Sequence, residues 1–430
     1  MREMKDSGIE WIGQIPNGWE LRRAKTLFTQ RNSKGNGIEV LLSPTQKYGV
    51  VPQSQLEGVV QVKEDADLQM FKTVHKGDFV ISLRSFQGGF EYSLYEGVCS
   101  PAYQVFYPTS PICDTYYRYL FKSQSFISKM NNLTVGIREG KNIQYVDFAN
   151  SQIPVPPLAE QERIAAFLDA ECDEIDAVLE KTRASIEEYK KLKQAVITQA
   201  VTKGTRGDRP MKDSGIEWIG EIPAEWKVNL IKNVATTGSG GTPESGNPSL
   251  YNGDINWICS YDLKERPITK SERRLTQLGA DSIAGNVQLK GSVLVAMYGG
   301  SGTIGNSGIL ECEAKTNQAI CSIKFNNGYI TDYFGFYYIL SIRKYWMIFA
   351  VGTRKDPNIS QDIVRKMPCI LPPIAEQEEI VAYCNKACEQ LDTLITKKQQ
   401  YLTEIEKYKK SLIYEYVTGK KEVKTSVLAD

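Results

Sequence analysis

Three kinds of residue in this 430-residue chain could do chemistry or hold a charged partner. The first is the Gly-rich loop. Residues 237–243 (Thr-Gly-Ser-Gly-Gly-Thr-Pro) and 298–305 (Tyr-Gly-Gly-Ser-Gly-Thr-Ile-Gly) could cradle a phosphate, but neither ends in the Lys-Ser/Thr of a phosphate loop. The second follows a predicted strand yet opens no helix, so a dinucleotide fingerprint is unsupported too. Both read as flexible turns whose backbone N–H groups approach something anionic, which in a DNA-binding reading is phosphate. The second kind of residue would serve metal or acid–base chemistry. His75 is the only histidine, there is no Cys-x-x-Cys, and Cys384 and Cys388 share a helix face where packing is the stronger reading. Nuclease-like Glu/Asp-x-Lys triplets occur at Glu3-Met4-Lys5, Glu188-Tyr189-Lys190, Glu225-Trp226-Lys227, Glu313-Ala314-Lys315 and elsewhere, too often to be informative. An Asn/Asp-Pro-Pro-aromatic tetrapeptide, the kind that holds a flipped adenine, is absent. The chain is expected to be non-catalytic, with no metal site.

The third kind points to nucleic acid. In Arg84-Ser85-Phe86-Gln87 the polar side chains follow a predicted strand, and Arg can bond guanine, and Gln adenine, with two hydrogen bonds each. Thr45, Lys47 and Tyr48 form a similar loop, as do Arg138, Lys141 and Asn142. Their counterparts in the second half are Thr242, Arg273, Arg274, Ser301, Thr303, Asn317, Gln318, Arg354 and Lys355. Any one of them is more simply a solvated surface group. As two sets in duplicated segments they read as DNA contacts.

What must position them is an internal repeat. Residues 4–13 (Met-Lys-Asp-Ser-Gly-Ile-Glu-Trp-Ile-Gly) recur letter for letter at 211–220, an offset of 207. Pro156-Pro157-Leu158-Ala159-Glu160-Gln161-Glu162 returns as Pro372-Pro373-Ile374-Ala375-Glu376-Gln377-Glu378, an offset of 216. The ends of the repeat agree while its middles differ, as suits a scaffold needed twice and a specificity element needed in two versions. Each Pro-Pro stop opens a run of more than forty residues without Gly or Pro. Along the first, Leu168, Cys172, Ile175, Leu179, Thr182, Ile186, Tyr189, Lys193, Val196 and Ala200 alternate four and three apart, the period of a coiled-coil seam. Cys384, Cys388, Leu391, Ile395, Leu402, Ile405, Leu412 and Tyr416 make the equivalent seam. With both in one chain, an internal antiparallel pair is more economical than a dimer, and about 45 residues at ~1.5 Å each span roughly 65 Å.

The expected organisation is a lead-in segment at 1–19 (repeated at 208–226), a globular segment at 20–152, a helix region at 153–204, a linker and second lead-in at 205–226, a second globular segment at 227–368, a second helix region at 369–421 and a tail at 422–430. Strands are predicted at 39–42, 59–62, 77–83, 103–106, 291–297 and 319–323, with aromatic helices at 114–126 and 332–346. So few helices between strands argue for α+β, two β-rich domains joined by two long helices, rather than a βαβ sheet.

Composition bounds the function. At 41% hydrophobic and 24% charged residues the chain reads as an ordinary soluble protein. It has no apolar run of the ~18 residues a membrane helix requires and no apolar signal core at its N-terminus. Nine cysteines without paired spacing suit a reducing cytoplasm. A net charge of +1 gives no global attraction to DNA. The globular segments are mildly basic, with 15 Lys and Arg against 12 Asp and Glu over 20–152 and 16 against 12 over 225–366, which permits local patches.

Together the twin Asp-Ser-Gly-Ile-Glu-Trp-Ile-Gly segments, the Pro-Pro-Leu/Ile-Ala-Glu-Gln-Glu helix starts, Gly240-Gly241-Thr242-Pro243 with Ile255-Asn256-Trp257-Ile258, and Val98-Cys99-Ser100-Pro101-Ala102-Tyr103 carry a resemblance. Over essentially its whole length the chain resembles the specificity subunit of type I restriction-modification systems. That resemblance implies two target recognition domains, each reading one half of a bipartite asymmetric double-stranded DNA target, with the helix pair setting the spacer. It also implies two modification subunits, which bring S-adenosylmethionine and methylate adenine N6, and restriction subunits that use ATP and Mg²⁺; this chain holds no cofactor itself. Glu160, Gln161 and Glu162, with Glu376, Gln377 and Glu378, are the expected docking ground for the modification subunits. Gly-Gly-Thr-Pro occurs only in the second domain and Ser-Pro-Ala-Tyr only in the first, so the two domains are expected to read unrelated half-sites. The rival readings are a coiled-coil scaffold or regulator that reads no DNA, and a self-sufficient methyltransferase or nuclease, which the absence of a catalytic motif disfavours.

Overall fold

The computed structural model describes residues 2–35, 40–56, 68–133, 143–299, 302–352 and 357–423. The chain folds as two compact units, residues 1–183 with 400–430, and residues 184–399. The division falls inside the long helices rather than at a Gly- or Pro-rich linker. Leu158–Lys203 and Ile374–Val417 each give part of their length to each unit. Among the described residues no helix is long and apolar enough to cross a membrane.

In the first unit an antiparallel sheet runs in the order Phe28–Arg31, Gln104–Pro108, Phe79–Ile81, Glu91–Tyr92. Its apolar face is aromatic: the Phe106 ring lies 4.8 Å from Phe148 and stacks on Phe79 at 5.4 Å, while Phe28 meets Phe106 edge-on at 5.5 Å. Such pairs add about 0.5–1.5 kcal/mol beyond their burial. Two helices, Asp114–Lys122 and Gln124–Asn132, cover this face, where the sequence suggests one. The break is Ser123, which has extended backbone and whose hydroxyl donates to the Leu120 carbonyl at 2.7 Å. Beside the sheet stands the hairpin Leu42–Thr45/Gly49–Pro52. The predicted strand at 59–62 lies outside the described residues.

In the second unit the strands Ala235–Ser239, Ile320–Phe325, Val293–Ala296 and Ser307–Leu310 repeat the antiparallel theme, with Pro267–Ile268 added in parallel at the edge. A second layer of three strands, Arg274–Leu275, Tyr251–Ile258 and Lys315–Thr316, has no counterpart described in the first unit. The aromatic helix is Asp332–Ser341, buried all round, and a 3-10 turn continues it at Arg343–Ile348.

The repeated ends give repeated structure. Each lead-in segment makes a short hairpin, Met4–Asp6 with Gln14–Pro16 and Met211–Asp213 with Glu221–Pro223. Each unit then pairs the strand after this hairpin with the strand that leads into a long helix, Glu20–Arg23 with Gln152–Val155 and Lys227–Leu230 with Pro368–Leu371.

Within each unit the two long helices run antiparallel. In the first, Phe167 packs on Tyr416 with ring centres 4.5 Å apart, Lys409 pairs with Asp176 at 2.6 Å and Arg183 with Glu406 at 2.7 Å. In the second, Lys193 pairs with Asp392 at 2.7 Å and Lys398 lies over the Tyr189 ring at 5.8 Å. Leu168, Cys172, Ile175, Leu179, Thr182, Ile186 and Ala200 are buried as the seam requires, and so are Cys384, Cys388, Leu391, Ile395 and Leu412. Near the end of the first helix the seam departs from strict alternation. Ile197 is buried while Tyr189, Lys193 and Val196 are only half-buried, because an untwisted helix drifts about 20° per heptad from a 3.5-residue repeat.

Candidate nucleic-acid interface

The first unit brings two sequence-distant loops to one cleft. The hairpin turn 46–48 and the turn 82–88 face each other across a cavity of about 690 Å³ lined by Thr45, Gln46, Lys47, Tyr48, Arg84 and Gln87 among others. Its local geometry follows from small details. Gly49 closes the three-residue hairpin loop at φ +72°, and a Cβ there would stand 2.7 Å from the Tyr92 carbonyl oxygen, so only glycine fits. The Thr45 hydroxyl accepts from the Tyr48 N–H and donates to the Gly49 carbonyl, both at 3.0 Å. The Thr45 hydroxyl thus holds the turn from the wall of the cleft. Lys47 lies over the Tyr48 ring at 4.7 Å, and Tyr48 is 60% exposed. The Arg84 guanidinium makes no hydrogen bond or ion pair among the described residues and faces solvent.

Under this cleft sits an ion pair that the sequence does not signal. Glu91, 2% exposed, receives Lys122 Nζ at 2.6 and 2.7 Å, and Lys122 also donates to the Gln46 carbonyl at 3.3 Å. Burial pushes the Glu91 carboxyl up to about 7 and pulls the Lys122 ammonium down, and the pairing of each with the other opposes both shifts. A strand Glu at 91 and a helix Lys at 122, 31 residues apart, form no local pattern that would betray the pair. Arg138, Lys141 and Asn142 lie outside the described residues.

In the second unit the predicted residues fall into two groups. Thr242 donates to Gln318, and the N–H of the neighbouring Asn317 donates to the Ile258 carbonyl at 3.0 Å. The Gly-rich loop here is not a free turn with N–H groups pointing outward, as the sequence suggests. Gly238 is in a strand, the Gly241 N–H donates to the Thr316 carbonyl at 3.0 Å, and the Gly241 carbonyl accepts from Trp257 Nε1 at 3.1 Å. Glycine is needed at 240 for room, since a Cβ would lie 1.7 Å from the Thr316 carbonyl oxygen. The second group is a cleft of about 730 Å³ lined by Lys264, Arg266, Lys270 and Arg274, with Asp262 and Glu272. Arg273, the neighbour of Arg274, turns over the Tyr261 ring at 5.5 Å. The cations Lys264, Arg266 and Lys270 escape notice one at a time. The signal is their density, five Lys and Arg against two Glu in residues 264–274. Thr303 sits apart, against Gly299 and near Ser260. Ser301, Arg354 and Lys355 lie outside the described residues.

The helix-start residues turn inward. Glu160 accepts from Trp19 Nε1 at 3.0 Å and from both Arg2 Nη atoms at 2.5 and 2.8 Å, and Arg2 lies over the Trp19 ring at 5.5 Å. Glu376 accepts from Trp226 Nε1 at 3.0 Å and pairs with Arg209 at 2.6 Å, and Arg209 lies over the Trp226 ring at 5.2 Å. Gln161 accepts from the Cys113 N–H at 2.9 Å and donates to the Pro156 carbonyl at 2.8 Å. Gln377 accepts from the Thr331 N–H at 2.8 Å and donates to the Pro372 and Tyr329 carbonyls at 2.9 and 2.8 Å. These four side chains are 8%, 1%, 1% and 0% exposed in the order Glu160, Gln161, Glu376, Gln377. They are internal fasteners, which corrects their expected role as docking ground; of the six, only Glu162 and Glu378 are exposed.

The chain can now be set beside known proteins. Residues 16–188 and 223–407 match the family model described as the type I restriction modification DNA specificity domain. The MjaX protein of Methanocaldococcus jannaschii is 24% identical over 443 residues, covering 96% of each chain. The type I restriction enzyme MjaVIII specificity subunit of the same organism is 27% identical over 302 residues, 66% of each chain. A solved chain from a study of complex assembly and conformational transition of the type I R-M system superposes with a TM-score of 0.69 at 16% identity, covering 94% of this chain and 98% of that one, which is a likeness of fold. The two matched stretches each take in one globular segment and much of the helix that follows it, the same duplication that the lead-in hairpins and the inward-turned glutamates display. With the family model matched twice across most of its length, this chain belongs to the type I restriction modification DNA specificity family.

Proposed function

We infer that this protein selects the DNA sequence on which a type I restriction-modification complex acts, by reading a bipartite asymmetric target with one unit on each half-site. The observation that carries the reading is the pairing of sameness and difference. Two units are fastened by the same Arg–Trp–Glu clusters, yet one presents a hydrogen-bonding cleft and the other a cationic one. Arg84 and Gln87 reach base edges from the first unit; Arg274, with Lys264, Arg266 and Lys270, holds the backbone from the second. The long helices set the number of unread base pairs between the half-sites. Two modification subunits supply S-adenosylmethionine and adenine-N6 methyl transfer, and restriction subunits supply ATP- and Mg²⁺-dependent cleavage; this chain contributes no catalytic group.

Replacing residues 20–152 with the matching segment of another family member, followed by methylation mapping of a host carrying the complex, tests this. One half of the methylated motif changes and the other stays. An unchanged motif would favour a scaffold that reads no DNA. Inserting four residues into both long helices, about 6 Å at ~1.5 Å per residue, lengthens the tolerated spacer by a base pair or more and leaves both half-sites alone.

A further inference from the structure

We propose that Gln87 and Gln46 together read one adenine in the half-site of the first unit, Gln87 as the contact and Gln46 as the residue that positions it. The proposal rests on the DNA-reading function above and adds the base and the device. Gln46 Nε2 donates to Gln87 Oε1 at 3.4 Å across the mouth of the cleft, joining the hairpin turn to the 82–88 turn. Both side chains are exposed, and neither amide makes another hydrogen bond among the described residues. With Gln87 Oε1 and Gln46 Nε2 engaged with each other, the pair offers the Gln87 Nε2 protons and the Gln46 Oε1 lone pairs to a ligand: one donor and one acceptor, side by side. Of the four bases, adenine alone shows the complement in the major groove, an N7 acceptor beside an N6 donor. Guanine shows two acceptors, cytosine a donor and thymine an acceptor with a methyl group.

Two further observations show that the pair is held in place. Gly88 leaves the space Gln46 occupies: a Cβ there would come within 2.6 Å of Gln46 Cγ and 2.9 Å of Cδ. The backbone of Gln46 is tied from below by Lys122, itself locked on buried Glu91. Two long amides already bonded to each other lose less freedom on meeting a base than two free ones.

Gly88 supplies a clean test, because Gly88→Ala requires no unusual φ and displaces only the flexible Gln46 side chain. Gln87→Ala, Gln46→Ala and Gly88→Ala are each placed in the full chain, assembled with its modification subunits in a host, and read by methylation mapping. Gln87→Ala is expected to lower discrimination at a single A·T position of the first half-site by about tenfold or more, leaving every other position and the second half-site unchanged. Gln46→Ala and Gly88→Ala relax the same position less, and Gln46→Met, which keeps the bulk and loses the amide, behaves as Gln46→Ala. That coincidence at one position is something a merely structural defect would not produce. Motifs unchanged in both Gln87→Ala and Gly88→Ala, or relaxation at a G·C position, would overturn the proposal. If the exchange of residues 20–152 alters one half-site while these variants alter none, this inference falls and the function stands; if that exchange also alters nothing, both fall.

Discussion

Glu160 and Glu376 perform one task in the two units, whereas the turns at 82–88 and 264–274 present two different chemistries. Each glutamate opens a long helix, is buried, and accepts from the indole of a lead-in tryptophan while pairing with an arginine two residues before the first strand of that lead-in. The clefts share nothing of this kind. The first is shaped by neutral amides over a buried Glu91–Lys122 pair, and the second by Lys264, Arg266, Lys270 and Arg274 on the surface. A buried charge with two fixed partners tolerates almost no change, because removing one partner strands the others out of water. An exposed amide or ammonium can be exchanged at little cost to the fold. The difference teaches that physics, not only ancestry, keeps the fasteners alike while leaving the clefts free to diverge.

The largest effect should come from breaking the shared fasteners. Glu160→Ala and Glu376→Ala each cost about 3 kcal/mol or more, and chemical denaturation should find the two losses similar. A loss in one unit but not in the other would break the equivalence. Next comes the second cleft. Changing Lys264, Arg266 and Lys270 together to Ser should lower the slope of log affinity against log salt by about 2 to 3 and weaken binding to all sequences alike, measured by fluorescence anisotropy over a salt series. Gln87→Ala should leave that slope in place, which sharpens the contrast between the amide pair of the first cleft and the cations of the second.

A smaller effect distinguishes the floor of the first cleft. The Glu91 carboxyl is held at about 7 by burial, above its ordinary value of 4.5. The folded state therefore binds more protons than the unfolded one between those values, so Glu91 adds stability as pH falls from about 7 toward 4.5, by on the order of 2 kcal/mol. Glu91→Gln should flatten that part of the stability–pH curve in thermal unfolding, and a curve that stays unchanged would mean that Glu91 titrates at its ordinary value. The smallest effects belong to the bridges between the long helices. Lys193→Ala and Lys409→Ala remove pairs with the exposed carboxylates of Asp392 and Asp176 and should cost about 0.5 kcal/mol or less.

The sequence by itself determined the duplication, the α+β class, both long helices and their antiparallel seam. Periodicity and repetition are local properties, and helices beginning at Leu158 and Ile374 after Pro-Pro stops follow from them. It also singled out Arg84, Gln87 and Arg274, which the fold places on the walls of clefts, because polar residues beside a predicted strand are visible without coordinates. It misjudged Glu160, Gln161, Glu376 and Gln377, since an acidic helix start looks the same whether it faces water or a tryptophan that lies 141 residues away, as Trp19 does from Glu160. Only the tertiary structure decided which polar residues are fasteners and which are free, that Gln46 meets Gln87 across 41 residues, and that Lys122 and Glu91 support the turn between them. Those outcomes depend on distances between segments that no local pattern encodes, and on burial, which sets whether the same carboxylate is an internal support or an exposed charge.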